Sequence, residues 1–94
     1  MSKNTVSLVA SGQAITAGRG DLTGIIVNSH SSGVIRLVDS PGGSSGRSLF
    51  GGDNGYTLAT GSSVIDLPNI EYYEGVYLEV ISGTVDVQIT NNER

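Results

Sequence analysis

The 94-residue sequence has no cysteine, no tryptophan, one histidine and two prolines. Without cysteine there are no disulfides and no thiolate zinc sites, two devices that hold many small domains together. A lone imidazole, His30, cannot build a multi-histidine metal centre within one chain. Charge is also scarce: Asp, Glu, Lys and Arg make up 15% of the chain, against roughly 25% in an average soluble domain. Five basic and nine acidic residues leave a net charge of −4 at pH 7. The bases Lys3, Arg19, Arg36, Arg47 and Arg94 are scattered along the sequence, so neither nucleic acid nor an anionic membrane is expected as a partner. No apolar run approaches the roughly 18 residues of a membrane-spanning helix. Residues 1–6 lack the apolar core of a signal peptide, and the longest apolar run nearby is Leu8-Val9-Ala10. The expectation is synthesis in the cytoplasm, with no passage through a membrane directed by this sequence.

What the chain has in quantity is glycine, 14 residues without a G-X-Y period. This predicts many turns rather than a collagen helix. The length fits one domain, residues 1–94. A domain of this size buries only roughly 60–65% of its unfolded surface, so its core is thin. With disulfides and metals excluded, self-association is the remaining stabilising device, and an oligomer is expected.

The dominant hydrophobic period is two. In residues 84–90, Val85, Val87 and Ile89 share one face, and Thr84, Asp86, Gln88 and Thr90 share the other. That is a half-buried strand. The run Val76-Tyr77-Leu78-Glu79-Val80-Ile81 precedes it across Ser82-Gly83, which predicts a β-hairpin. A second hairpin is predicted from residues 22–28 and 34–39, joined by Ser29-His30-Ser31-Ser32-Gly33. Both of its runs are mainly β-branched and nearly continuous in hydrophobicity. They therefore read as central strands, or as strands covered on both faces by a neighbouring subunit.

Weaker strands are expected at residues 6–9 and 14–16, at 56–59, and at 63–67, the last ended by Pro68. No window carries helical apolar spacing free of Gly and β-branched interruptions. The predicted class is all-β, a small antiparallel β-sandwich or jelly-roll-like barrel. Residues 41–55 (PGGSSGRSLFGGDNG) form the long irregular segment. Within it, Leu49 and Phe50 either form a short strand or dock into a neighbour.

Four motifs invite a functional reading. Arg19-Gly20-Asp21 matches an integrin-binding tripeptide, though it also reads as a turn before a strand starting at Leu22. Gly42-Gly43-Ser44-Ser45-Gly46-Arg47-Ser48 resembles a phosphate-binding loop, but it has no Lys and no following helix. His30 sits among serines, yet nothing in sequence brings it to a carboxylate and no nucleophile elbow is visible. Glu71 and Glu74 flank Tyr72-Tyr73, with Glu79 nearby. Paired acids and stacking rings serve glycoside hydrolysis when held over a cleft, but a chain this small has little material for a deep cleft, and a solvated corner anchored by tyrosines is the better reading. Asp53-Asn54 lacks the spacing of a calcium loop. No catalytic, cofactor-binding or metal-binding residue is identified, and non-enzymatic binding or assembly is the expected role.

Residues 24–40 (GIIVNSHSSGVIRLVDS) and 61–90 (GSSVIDLPNIEYYEGVYLEVISGTVDVQIT) resemble small structural proteins of tailed bacteriophages. The shared patterns are V-N-S-H-S-S-G-x-I-x-L-x-D, here Val27 through Asp39, and G-[VL]-Y-x-x-V-x-S-G-T-x-D-V-x-[IV], here Gly75 through Ile89. The resemblance covers about half the chain, and its motifs are structural rather than chemical. It implies a virion protein of the capsid decoration (cement) type: a homotrimer that binds the major capsid protein and stabilises the assembled head. The alternatives are a tail, baseplate or fibre component, and a carbohydrate-binding module. The candidate interface residues are Leu49 and Phe50, the tyrosines Tyr72 and Tyr73, and Val6 in an N-terminal arm reaching the shell.

Overall fold

A computed structural model describes residues 2–9, 12–43, 45–58 and 63–93 of the chain. It contains seven strands: β1 (Ser2–Val9), β2 (Gln13–Ala17), β3 (Gly20–Asp39), β4 (Arg47–Phe50), β5 (Tyr56–Thr57), β6 (Ser63–Tyr72) and β7 (Gly75–Glu93). The described residues include no helix. All pairings are antiparallel, and they form one curled sheet, a half-barrel.

The sheet is organised by one ribbon. β3 and β7 pair along almost their whole length, from Gly20↔Glu93 to Val38↔Tyr77. Residues 20–27 of β3 also pair with β6 on their far side, and residues 34–39 pair with β5 and β4. β7 is flanked likewise, by β2 near its start and β1 near its end. Both long strands are thus central, as expected for β3 from the β-branched, nearly unbroken hydrophobicity of residues 22–28 and 34–39.

The two predicted hairpins do not form. Residues 29–33 and Ser82-Gly83 lie inside continuous strands, where the register shifts at Val27/Ser29, Ser31/Val34 and Val34/Ile35. Ser32 (φ 51°) and Gly83 (φ 77°) take left-handed conformations there. The residue types that permit a hairpin turn also permit a β-bulge, and a bulge bends a strand without ending it. A Cβ on Gly83 would collide with the carbonyl oxygens of Ser31 and Ser32, so the close approach of the two strands at this bend requires glycine.

Past the bend the ribbon doubles back. One end of β3 pairs with Tyr72 through Gly20. The other end, Asp39, accepts hydrogen bonds from the amides just beyond Tyr72. Leu22, Ile25 and Val27 from the first arm of β3 therefore share a core with Ile35 and Leu37 from the second. β7 supplies Val76, Leu78 and Val80 from one arm, and Val85, Val87 and Ile89 from the other. The period-two face read at Val85, Val87 and Ile89 is the buried one.

Other expectations shift in detail. The segment 41–55 is broken by β4, which pairs with residues 37–39 of β3. β6 runs through Pro68 to Tyr72. It is an edge strand with a register shift opposite residues 22–24, and Asn69 has φ 52°; edges and bulges are where a strand tolerates proline. Residues 2–6 are not an arm but part of β1, paired with β7.

Candidate functional site

The densest polar cluster lies at the end opposite the bend, where both ends of β3 meet the turn between β6 and β7. Its centre is Asp39, a buried carboxylate at the last position of β3. Oδ1 accepts the backbone amides of Tyr73 (3.1 Å), Glu74 (2.8 Å) and Gly75 (3.3 Å). Oδ2 accepts the Nη2 of Arg47 at 3.2 Å and is also 3.0 Å from the Tyr73 amide. Burial alone would raise the Asp39 pKa. The hydrogen bonds from Glu74, Tyr73, Gly75 and Arg47 outweigh it and hold the carboxyl below its ordinary 3.8. A carboxylate this fully occupied is a clasp that closes the turn on the strand, not a free general base.

Around the clasp the surface is built on Tyr73. The guanidinium of Arg19 lies 5.4 Å and that of Arg47 5.6 Å from its ring centroid, within cation–π range. Arg47 also donates to the Glu71 carbonyl at 2.7 Å. The Tyr73 hydroxyl donates to Glu71 Oε1 at 2.8 Å, and Arg19 Nη2 is 3.9 Å from Glu71 Oε2. The hydrogen bond to Glu71 is the main reason the Tyr73 phenol ionises above its usual 10, and the Glu71 charge adds to it. Tyr73 remains half exposed.

The candidate interface residues separate. Leu49 and Tyr72 are buried in the chain's own core and present no surface to a partner. The Tyr72 hydroxyl is met by Asn91 Nδ2 at 2.8 Å, so the ring is a satisfied core anchor. Phe50 is partly buried against the core and meets Tyr56 in a tilted ring contact, with ring centroids 4.9 Å apart. Tyr73 is exposed. Val6 is in β1, in register with Val87.

The remaining motifs fall apart in space. Gly20 and Asp21 are strand residues paired with Tyr72 and Glu71, so the Arg19-Gly20-Asp21 triplet is not displayed on a loop. A Cβ at Gly20 would run into the Tyr72 hydroxyl and the Asn92 carbonyl. Ser40 Oγ accepts the amides of Gly42 and Gly43, which pins the start of the glycine-rich loop as a local turn. His30 sits at the bend, its Nδ1 accepting the Gly33 amide at 3.1 Å. It is thus at the far end of the molecule from Glu71 and Glu74. Among the described residues no three of His, Asp and Glu come together to hold a metal ion, and no pocket opens.

Reasoning from the sequence missed Asp39, Arg19 and Arg47 as partners of the tyrosine corner. The only local signal was an Asp closing an apolar strand just before Ser-Pro-Gly. It also missed the exposed apolar residues Val64 and Ile81. Here a signal exists, since both fall out of phase with the core positions Ile65 and Val80 beside them. The chain matches no protein-family model, no curated protein and no solved structure against which it was compared.

Proposed function

We propose that this chain is a non-enzymatic structural protein of a tailed-phage virion, a trimeric decoration protein that cements the assembled head. In this reading the curled sheet is a small β-sandwich, flattened by the doubling of the ribbon. The observation that carries it is where the phage-like stretches fall. Residues 24–40 and 61–90 supply most of β3, β6 and β7, so the resemblance lies in the scaffold and not in peripheral loops. The mechanism is mass action: a protein that binds the closed shell, and not its separated subunits, stabilises the shell by its binding free energy. The partner is the major capsid protein, and the place of action is the virion.

Mass spectrometry of purified particles tests the reading, with gold-labelled antibody to place the protein on them. Label over the head supports a decoration role. Label confined to the tail moves the protein to tail, baseplate or fibre, and its absence from particles ends the virion reading. A carbohydrate-binding role has one observation in its favour, the half-exposed Tyr73 ring with Arg19, Arg47 and Glu71 around it. Retention of the protein on a glycan array would support that role over cementing.

A further inference from the structure

His30 is the chain's one histidine, and it stands in the bulged part of β3 at the bend, opposite Val85 of β7. The Gly33 amide lies 3.1 Å from its Nδ1. A backbone N–H can only donate, so Nδ1 must present a lone pair. The fold therefore selects one form of the ring, neutral and with its proton on Nε2. The imidazolium carries a hydrogen on both nitrogens and cannot make this bond.

The bond closes a pivotal point of the bend. Between His30 and Gly33, Ser32 takes a left-handed conformation, φ 51°, and the register against β7 shifts between Ser31 and Val34. Gly33 is buried. A Cβ there would lie 2.8 Å from Val85, 3.0 Å from Leu58 and 3.3 Å from the His30 Cβ, which places His30 beside the apolar end of the core. The Gly33 carbonyl in turn accepts the amide of the buried Leu58 at 2.9 Å. Through its two backbone groups, one glycine ties the bulge of β3 to the imidazole and to the chain leaving β5.

The elements around the bend bring several charged and titratable groups. Asp86 of β7 is opposite Ser29. It alternates with the buried Val85 and Val87, which turns its carboxylate to the outer face, and its Oδ1 accepts Asn28 Nδ2 at 3.4 Å. Asp66 of β6 stands opposite Gly24, and Tyr56 of β5 opposite Ile35. Asp53, between β4 and β5, reaches Arg36, which also pairs with Glu79. These groups set the field in which the ring titrates. The need for a bare Nδ1 is independent of them.

We propose that His30 is an acid-released latch on the bend: the neutral ring locks residues 30–33 and, through Gly33, the chain at Leu58, and a second proton on the ring unlocks both. Histidine ordinarily takes up that proton near pH 6.5, so the latch is closed at pH 8 and open at pH 5. Carboxylates ordinarily protonate near pH 4. The bend therefore loosens in a window where the Asp39 clasp still holds.

Nuclear magnetic resonance on the isotope-labelled full chain tests it. Ring nitrogen shifts read the tautomer, and amide hydrogen exchange, referred to the intrinsic rate at each pH, reads the latch. At pH 8 the ring proton is expected on Nε2. From pH 8 to pH 5, protection of the Gly33 and Leu58 amides is expected to fall by about fivefold or more, the worth of one hydrogen bond, and to follow the titration of the ring. Protection of Leu37 and Ile89 in the central ribbon is expected to change by less than about twofold. In His30→Asn, Oδ1 supplies an acceptor that does not titrate, and Gly33 is expected to be protected equally at both pH values. Circular dichroism checks that the variant is folded, and the wild-type ring titration stands without it. A proton on Nδ1 at pH 8 would overturn the inference, as would Gly33 protection that is unchanged at pH 5 or that falls out of step with the ring. So would an equal loss in folded His30→Asn, or an equal loss at Leu37 and Ile89.

Discussion

The two ends of the β3–β7 ribbon do the same job by different means. Each keeps a 20-residue strand doubled over a single core. At the bend the work is done by backbone: a left-handed Ser32, a left-handed Gly83 and the close passage of β3 over β7. At the clasp it is done by side chains, with one carboxylate gathering three amides and a guanidinium. The bend should therefore be sensitive to added atoms. The clasp should be sensitive to loss of charge and, at Gly20, Gly46 and Gly75, to added atoms as well.

The largest expected effect breaks the bend. Gly83→Val adds a branched side chain where a Cβ already meets two carbonyl oxygens, at a φ that L-residues avoid. The expected cost is about 3 kcal/mol or more, a large part of the stability of a small domain. Urea unfolding followed by circular dichroism measures it, and a near-neutral result would mean the strands do not cross there as described.

Next comes the clasp. Asp39→Ala removes the acceptor of three amides and one of the partners of Arg47, at a cost of about 2–4 kcal/mol. Asp39→Asn, which keeps one acceptor oxygen, is expected to cost less. Measuring both by urea unfolding separates the charge from the geometry. Equal costs would assign the whole effect to the charge, and a near-zero cost for Asp39→Asn would show that the charge contributes nothing.

How much of this was legible follows from the same contrast. The alternation at Val85, Val87 and Ile89 reports burial directly, because a strand's two faces are written in adjacent residues. The bend was visible only as turn chemistry. Ser29–Gly33 and Ser82–Gly83 carry residues that tolerate positive φ, and nothing local distinguishes a hairpin from a paired bulge whose partner lies far along the chain. His30, for instance, pairs opposite Val85. The clasp was less legible still, because Asp39 meets Tyr73 and Glu74 across 34 and 35 residues, and no sequence period links them.

Acid sharpens the comparison. The Asp39 carboxyl is held below 3.8 in the fold. Its contribution is fully present above the unfolded-state value of about 3.9 and is lost as pH falls through the lower folded value. Stability measured from pH 6 downward should therefore drop below about pH 4, and the drop should shrink in Asp39→Asn. An unchanged acid limb in that variant would assign the loss to other carboxylates.

The smallest effect lies beside the clasp, where Tyr72 pairs with Gly20. Tyr72→Phe removes the buried hydroxyl that accepts from Asn91 Nδ2, at about 1–2 kcal/mol. Thermal unfolding monitors it, and a loss near zero would mean the amide finds another acceptor.

The central claim is that β3 and β7 pair with each other rather than each folding into its own hairpin. Backbone nuclear Overhauser effects on isotope-labelled protein test it most directly. The ribbon predicts cross-strand contacts between the backbones of Ile25 and Ile89, Val27 and Val87, and Leu37 and Leu78. A ladder joining Val27 to Ile35 and Ile26 to Arg36, with Ser29–Gly33 as its turn, would contradict it.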